Sequence, residues 1–202
     1  MKKILICMVV LCYCAYSNSQ HNVKSNIIHT NSHQTVRTDV SYFDNELLEY
    51  HFSSDTLWMI STAEFFFYPF GRYHNVRSIL AAYPFMKIKI EPDPNVPEFP
   101  VYRFTYQQNY FKVFYDNETK GMELASAKIF DKKISLINQV GIGIMKSDFI
   151  RKFTHKITPE QIKNIHVIAF ESGLYGVWHY YNFENDTLKY FWFDSGCKVN
   201  KN

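Results

Sequence analysis

The clearest local pattern in the chain is a β-hairpin over residues 101–116, which read VYRFTYQQNYFKVFYD. Aromatic or apolar residues alternate with polar ones on both arms of this stretch: Tyr102, Phe104 and Tyr106 on the first arm, then Phe111 and Val113 on the second. Such alternation is typical of strands that bury one face and expose the other. A third strand is expected over residues 124–130.

A second hairpin is predicted over residues 175–193, with its turn at residues 184–187. A shift of 77 residues superposes the two hairpins, placing Tyr106 on Phe183 and Phe111 on Leu188. Further strands are expected at residues 56–62 and 165–170. The matched pattern predicts an internal duplication.

A short helix is expected before each hairpin. Apolar residues recur at three- and four-residue spacing in both stretches, the mark of a one-sided apolar stripe: Val76, Ile79, Leu80 and Tyr83 in the first, Phe149, Ile150 and Phe153 in the second. Residues 43–50 favour a further short helix. A Pro-rich connector over residues 91–100 is expected to stay extended.

The predicted fold class is α+β: two helix-plus-three-strand repeats form an antiparallel sheet with the helices on one face. Repeat one covers about residues 70–131 and repeat two about residues 140–194. The predicted core residues are Tyr102, Phe104, Tyr106, Phe111, Val113, Tyr181, Phe183, Leu188, Tyr190 and Trp192.

The N-terminus has the three parts of a secretory signal: Lys2 and Lys3, an apolar run over residues 4–14, and small or polar residues after it. We expect a signal peptide over residues 1–19, with cleavage after Ser17 as the alternative. A flexible leader over residues 20–55 and a single domain over residues 56–202 follow. The predicted localisation is exported: periplasmic, outer-surface or secreted. No membrane span is expected after signal cleavage, because the apolar run is shorter than the roughly 20 residues that a helix needs.

The cysteines argue against a disulfide framework, since Cys7, Cys12 and Cys14 lie in the signal and leave Cys197 as a free or buried thiol. Lipid anchoring is not expected, because Leu11 and Tyr13 stand where a lipoprotein signal needs a small residue. Without Lys2 and Lys3 the chain has 20 basic and 19 acidic residues, and this balance excludes a nucleic-acid partner at the level of net charge.

No catalytic motif stands out, and we predict a non-enzymatic protein with no catalytic residues, no metal and no cofactor. The nearest alternative is a hydrolase that uses His166 or His179 with a carboxylate, or a metal held with His155. Alternation instead places His179 on the core side, where a hydrogen-bonded histidine is expected.

Residues 143–153 (GIMKSDFIRKF) and 180–189 (YYNFENDTLK) resemble the repeat of the β-lactamase-inhibitor-protein-like fold. The resemblance implies a non-enzymatic protein that binds other proteins in the periplasm or at the cell surface. The long connector over residues 91–100 departs from that repeat. The end of the signal and the Tyr-, Asn- and Lys-rich composition resemble exported proteins of the Bacteroidetes.

The outer face of the sheet is the candidate binding site, because strand parity gives it aromatic residues where water alone would favour polar ones. The candidate residues are Trp178, Tyr180, Phe191, Phe193 and Phe114. The expected partner is an envelope or extracellular protein, with a glycan as the alternative. A third possibility is that the leader or residues 65–70 cover this face and make it core.

Overall fold

The alternating stretches form strands of one sheet in the computed structural model, which describes residues 47–93, 97–172 and 176–195. Within these residues there are nine strands: β1 Leu47–Ser53, β2 Thr56–Ser61, β3 Lys87–Pro92, β4 Pro100–Tyr106, β5 Asn109–Asp116, β6 Gly121–Ile129, β7 Val167–Ser172, β8 Val177–Glu184 and β9 Thr187–Ser195. Two helices, α1 Val76–Ala82 and α2 Lys146–Phe153, and two 3-10 turns, Glu64–Phe66 and Ile137–Gln139, connect them.

The strand order is β1-β2-β7-β8-β9-β6-β5-β4-β3. Neighbouring strands are antiparallel except for β2 and β7, which pair in parallel from Thr56–Val167 to Ser61–Ser172. The α+β class and the mostly antiparallel sheet are therefore confirmed. No repeat is evident in the described part of the chain, where four strands follow α1 and three follow α2.

One face of the sheet, called the inner face here, carries the core. A single row of paired residues crosses it from Phe104 on β4 to Phe170 on β7, with Phe111, Ala127, Phe193 and His179 between them. Both helices contact this face. The Phe149 ring of α2 lies 4.6 Å from that of Tyr181, and Tyr83 at the end of α1 lies 5.7 Å from Phe111.

Local sequence sets the helix boundaries. The Asn75 side chain accepts a hydrogen bond from the Ser78 amide at 3.0 Å and caps the start of α1, while Pro84 follows its end. Asp148 lies in the first turn of α2, and Arg151 and Lys152 lie in the last, which suits the helix dipole.

The chain between β2 and α1 also packs on the inner face. Phe66 contacts the rings of Phe170 and His179, and Phe70 stacks on Phe111 at 4.6 Å. Residues 65–70 therefore cover the core side, so the hypothesis that this run covers the outer face is wrong.

The predicted domain start also needs correction. Residues 47–53, assigned to the flexible leader and partly to a helix, form β1 at the edge of the sheet. This strand is held by hydrogen bonds to β2, a pairing that the apolar pattern of residues 47–53 did not predict. Likewise, the connector predicted over residues 91–100 begins with the end of β3, which pairs with β4. The signal, residues 20–46 and Cys197 lie outside the described residues.

Seven of the ten predicted core residues are confirmed as buried or packed against the core on β4, β5 and β8: Tyr102, Phe104, Tyr106, Phe111, Val113, Tyr181 and Phe183. Leu188 on β9 is buried as well. Tyr190 and Trp192 were placed on the wrong face. A β-bulge is the reason: Asn182 pairs with Tyr190 and Phe183 with Leu188, so Lys189 is an extra residue that reverses the parity of the rest of β9.

Lys146, the first residue of α2, ties three segments together. Its ammonium group donates to the Ile165 carbonyl at 2.8 Å and lies 2.7 Å from the Asp186 carboxylate in the β8–β9 turn. This contact holds the pKa of Asp186 below its ordinary value. The Lys146 side chain is buried, whereas the Asp186 side chain is 60% exposed, so the bond to the buried carbonyl is the stronger contribution to stability.

Replacing Lys146 by methionine is expected to lower the free energy of unfolding by about 2 kcal/mol, because the Ile165 carbonyl loses its donor in a buried site. Urea denaturation measures the change. Lys156→Met, at an exposed lysine just beyond the same helix, is the control and should change stability by less than about 0.5 kcal/mol. Equal stability of both variants would contradict the anchoring role of Lys146.

Candidate functional site: an aromatic platform on the outer sheet face

The outer face carries all three tryptophans of the chain in one cluster. Trp58 on β2, Ala169 on β7, Tyr180 on β8 and Trp192 on β9 occupy a single row of paired residues. Trp178 lies two residues before Tyr180 and therefore on the same face. We call Trp58, Trp178, Tyr180 and Trp192 the aromatic platform.

The rings of the platform pack against one another. Tyr180 and Trp192 stack with centroids 3.9 Å apart and planes inclined by 10°. Trp58 meets the Trp178 and Tyr180 rings edge-on at 5.9 and 6.2 Å. The Trp58 and Tyr180 rings meet across β7 because Ala169, a fully buried small residue, stands between them. The platform is thus a continuous aromatic surface whose four side chains remain half-buried.

Three of the five predicted site residues lie on the outer face, where the sequence placed them. Trp178 and Tyr180 are on the outer face, at the centre of the platform. Phe114 is also on the outer face, half-buried opposite Val101 and Glu123, but β9 and β6 separate its strand from β8. The structure therefore does not bring Phe114 together with Trp178 and Tyr180.

The placement of Phe191 and Phe193 on the outer face is wrong. Both rings point into the core and are no more than 1% exposed. Phe193 stacks on His179 at 3.9 Å, and Phe191 lies 5.8 Å from Tyr181. The bulge at Lys189 turns these side chains inward and turns Tyr190 and Trp192 outward.

Two carboxylates flank Trp178 on the outer face. Glu171 on β7 and Asp194 on β9 are its paired neighbours on either side, within the roughly 5 Å that separates facing residues. Burial raises the pKa of the Tyr180 hydroxyl, and the nearby charges of Asp194 and Glu171 raise it further. Neither carboxylate forms an ion pair with any residue that the structure describes.

The opposite end of the outer face is basic. Glu91 on β3 pairs with Lys112 at 2.9 Å, with Lys89 at 3.5 Å and with Arg103 at 3.7 Å. The hydrogen bond from Lys112 holds the pKa of Glu91 below its ordinary value. The Arg103 guanidinium also lies 4.8 Å above the Tyr110 ring centroid.

An open depression of about 400 Å³ lies between the platform and this basic end. Its walls and floor include Trp192, Tyr110, Ser126, Lys128 and Asp194. An aromatic wall beside hydroxyl, ammonium and carboxylate groups can contact both the apolar and the polar side of a small ligand.

His51 on β1 is paired with Trp58 and its ring stacks on the indole at 6.3 Å, whereas His155, His166 and His179 lie apart from this surface. His179 is fully buried on the inner face; its Nε2 lies 3.1 Å from the Phe66 carbonyl oxygen and its Nδ1 lies 3.2 Å from the Tyr181 hydroxyl. Burial lowers the pKa of His179 to about 3. The expectation of a hydrogen-bonded core histidine is confirmed. His155 and His166 are exposed, and no cluster of three or more metal-binding side chains occurs among the described residues.

The sequence reasoning missed Trp58 and placed Trp192 in the core. Trp58 joins the platform through the parallel β2–β7 pairing, which no local pattern indicates. The common signal was residue type, since all three tryptophans contribute half-exposed indoles to one surface.

No family model matches the chain, and no curated protein or solved structure matches it at a significant level. The resemblance of residues 143–153 and 180–189 to the β-lactamase-inhibitor-protein-like repeat therefore stays a prediction. In the described residues no helix is long and apolar enough to cross a membrane.

Proposed function

We propose that this is an exported, non-catalytic binding module that holds a protein partner on its aromatic platform. The observation that carries the proposal is the concentration of every tryptophan of the chain in one half-buried cluster on a sheet face. Tryptophan and tyrosine are the residues that dominate binding energy in protein interfaces, and they act best when clustered. The secretory pattern of residues 1–19 supports a partner in the envelope or outside the cell.

The platform is pre-organised, which favours binding. Each ring is fixed by a neighbour: Trp192 by Tyr180, and Trp178 by Trp58. Side chains that are already ordered lose little conformational entropy when a partner covers them. The half-buried state of the rings also leaves apolar area that a partner can remove from water.

The repeat organisation belongs to the same proposal. We infer that α1 with β4–β6 and α2 with β7–β9 descend from one helix-plus-three-strand unit, as the resemblance to the β-lactamase-inhibitor-protein-like repeat implies. The adjacency of β6 and β9, the last strand of each unit, supports this interpretation. Binding of another protein in the periplasm or at the cell surface is also what that resemblance implies.

Capture of a partner from a cell-envelope extract tests the proposal. Trp178→Ala is expected to weaken capture by about 30-fold or more, the loss typical of a truncated hot-spot aromatic, while the protein stays folded. Tyr115→Ala is the matched control, since Tyr115 is an aromatic residue on a strand that is 41% exposed and lies outside the platform. Unchanged capture by Trp178→Ala, or unfolding of that variant, would contradict the proposal.

A glycan ligand is the second candidate, favoured by the depression beside Trp192. A sugar ring stacked on the half-buried Trp192 indole would place its hydroxyl groups near Ser126, Asp194 and Lys128. Aromatic rings pack against the apolar faces of such ligands while polar groups fix their orientation. A glycan array distinguishes the candidates: binding that Trp192→Ala abolishes would favour the glycan, and an array without binding would remove it.

A further inference from the structure

The outer face contains two groups of aromatic and acidic residues, and only one of the two groups includes a cation. At the β3–β5 end, the Arg103 guanidinium lies 4.8 Å above the Tyr110 ring and 3.7 Å from the Glu91 carboxylate. The chain itself supplies all three parts of this group. It contains an aromatic ring, a planar cation stacked on it, and a carboxylate that pairs with the cation.

At the β7–β9 end, the group has rings and carboxylates without a cation. Trp178 is paired across the strands with Glu171 on one side and Asp194 on the other. The Tyr180 ring lies beside that of Trp178, inclined by 18° at 6.4 Å. Among the described residues, no lysine or arginine forms an ion pair with either carboxylate. The nearest basic position in the row of Tyr180 is Lys128, and its ammonium group lies 5.4 Å from the Phe130 ring centroid.

The arrangement of these rings favours a planar cation over a compact one. The Trp178 and Tyr180 rings are nearly parallel, Trp192 covers one face of Tyr180 at 3.9 Å, and Trp58 meets both rings edge-on. The rings therefore form a packed cluster rather than a cage around a hole. A guanidinium group is flat, stacks on aromatic faces and can direct its N–H groups to a carboxylate in the same plane. A compact ammonium group stacks less well, and a quaternary ammonium group is best held by rings that surround it.

We propose that the platform receives an arginine side chain of the protein partner, stacked on Trp178 and paired with Glu171 and Asp194. This inference rests on the proposed function, because it names the chemical group that the partner presents. The arginine supplies the component that the β7–β9 end lacks and that Arg103 supplies at the other end. Charge complementarity and the position of the Trp178 ring between two carboxylates together favour this occupant.

Three indole N–H signals of the full ¹⁵N-labelled chain provide a direct test, because every tryptophan lies in the platform. The probe is the blocked tripeptide Gly-Arg-Gly, and the control is its citrulline analogue, which keeps the planar group without the charge. We expect the arginine peptide to shift the indole signals with roughly millimolar affinity and the citrulline peptide to bind about tenfold more weakly. Equal shifts with both peptides, or none, would overturn the arginine assignment.

Variants connect the peptide result to the partner. Glu171→Gln with Asp194→Asn is expected to weaken both the arginine peptide and the captured partner about tenfold. The exposed pair Glu118→Gln with Glu160→Gln makes the same charge change elsewhere and should leave both unchanged. If Trp178→Ala loses the partner while the Glu171/Asp194 variant keeps it, the arginine assignment fails and the proposed function stands. If Trp178→Ala keeps the partner, the proposed function itself fails.

The same spectra test whether an arginine of the chain itself, rather than of a partner, occupies the platform. Arg37 belongs to the N-terminal residues that lie outside the structure's described part. If Arg37→Gln shifts the indole signals in the absence of peptide, the chain's own leader is the occupant and the partner assignment is overturned. Unchanged signals in that variant, together with arginine-dependent shifts in the wild type, support the partner.

Discussion

Replacing Phe193 by alanine is expected to lower the free energy of unfolding by about 3–5 kcal/mol, whereas replacing Trp192 beside it should cost no more than about 1.5 kcal/mol. Phe193 is 1% exposed and stacks on His179, so its removal leaves a cavity in the core. Trp192 lies on the outer face, where water can fill the space that it leaves. Urea denaturation of the two variants measures the difference.

The comparison tests the bulge at Lys189, since the two residues are adjacent and differ mainly in the face to which they point. Strict alternation from Leu188 would give the opposite order, with Trp192 in the core and Phe193 at the surface. A larger loss for Trp192→Ala than for Phe193→Ala would therefore show that the bulge is absent. For a domain of this size the Phe193 variant should melt roughly 10 °C below the wild type.

Acid is expected to destabilise the protein through His179, by about 3 kcal/mol between pH 7 and pH 4. Its ring is neutral in the fold, because Nε2–H donates to the Phe66 carbonyl and Nδ1 accepts from the Tyr181 hydroxyl. Burial holds the pKa of His179 at about 3, against an ordinary value of 6.5. Below pH 6.5 His179 binds a proton in the unfolded chain, whereas in the folded chain it stays neutral until the pH approaches 3. Stability is therefore lost as the pH falls from 6.5 towards 3.

His179→Gln removes this proton uptake while keeping an N–H group that can donate to the Phe66 carbonyl. The stability of the variant should fall less steeply between pH 6 and pH 4, by about 1 kcal/mol per pH unit relative to the wild type. His166→Gln makes the same substitution at an exposed histidine and is the matched control. Denaturant titrations at a series of pH values give the slopes, and parallel slopes for wild type and His179→Gln would disprove the assignment.

Alternation predicted most of the strands because most of them bury one face. It predicted β4 well, since Arg103 and Thr105 separate the aromatic residues of that strand. It failed on β9, where residues 190–193 read YFWF and offer an aromatic side chain to either face. Parity there is decided by the pairing with β8 and by the bulge, which follow from tertiary packing.

The hairpin turn before β9 was predictable from residue type. Asn185 and Asp186 both adopt the left-handed conformation, with φ of 49° and 59°, as a two-residue hairpin turn requires. Asn and Asp tolerate this conformation better than most residues. Half of the platform, Trp178 and Tyr180, could therefore be placed from sequence, whereas Trp58 required knowledge of which strands are neighbours.

The parallel contact of β2 with β7 constrains the order in which the chain can assemble. More than a hundred residues are synthesised between Thr56 and Val167, and β1 and β2 alone form a two-stranded hairpin that is at best marginally stable in water. Contacts between such distant segments are slow to form, because a large loop must close first. The β1–β2 hairpin can therefore join the sheet only after the C-terminal strands have been synthesised. Until β2 pairs with β7, the apolar side chains of Leu57 and Met59 in this hairpin are accessible to chaperones or to the same hairpin of another nascent copy.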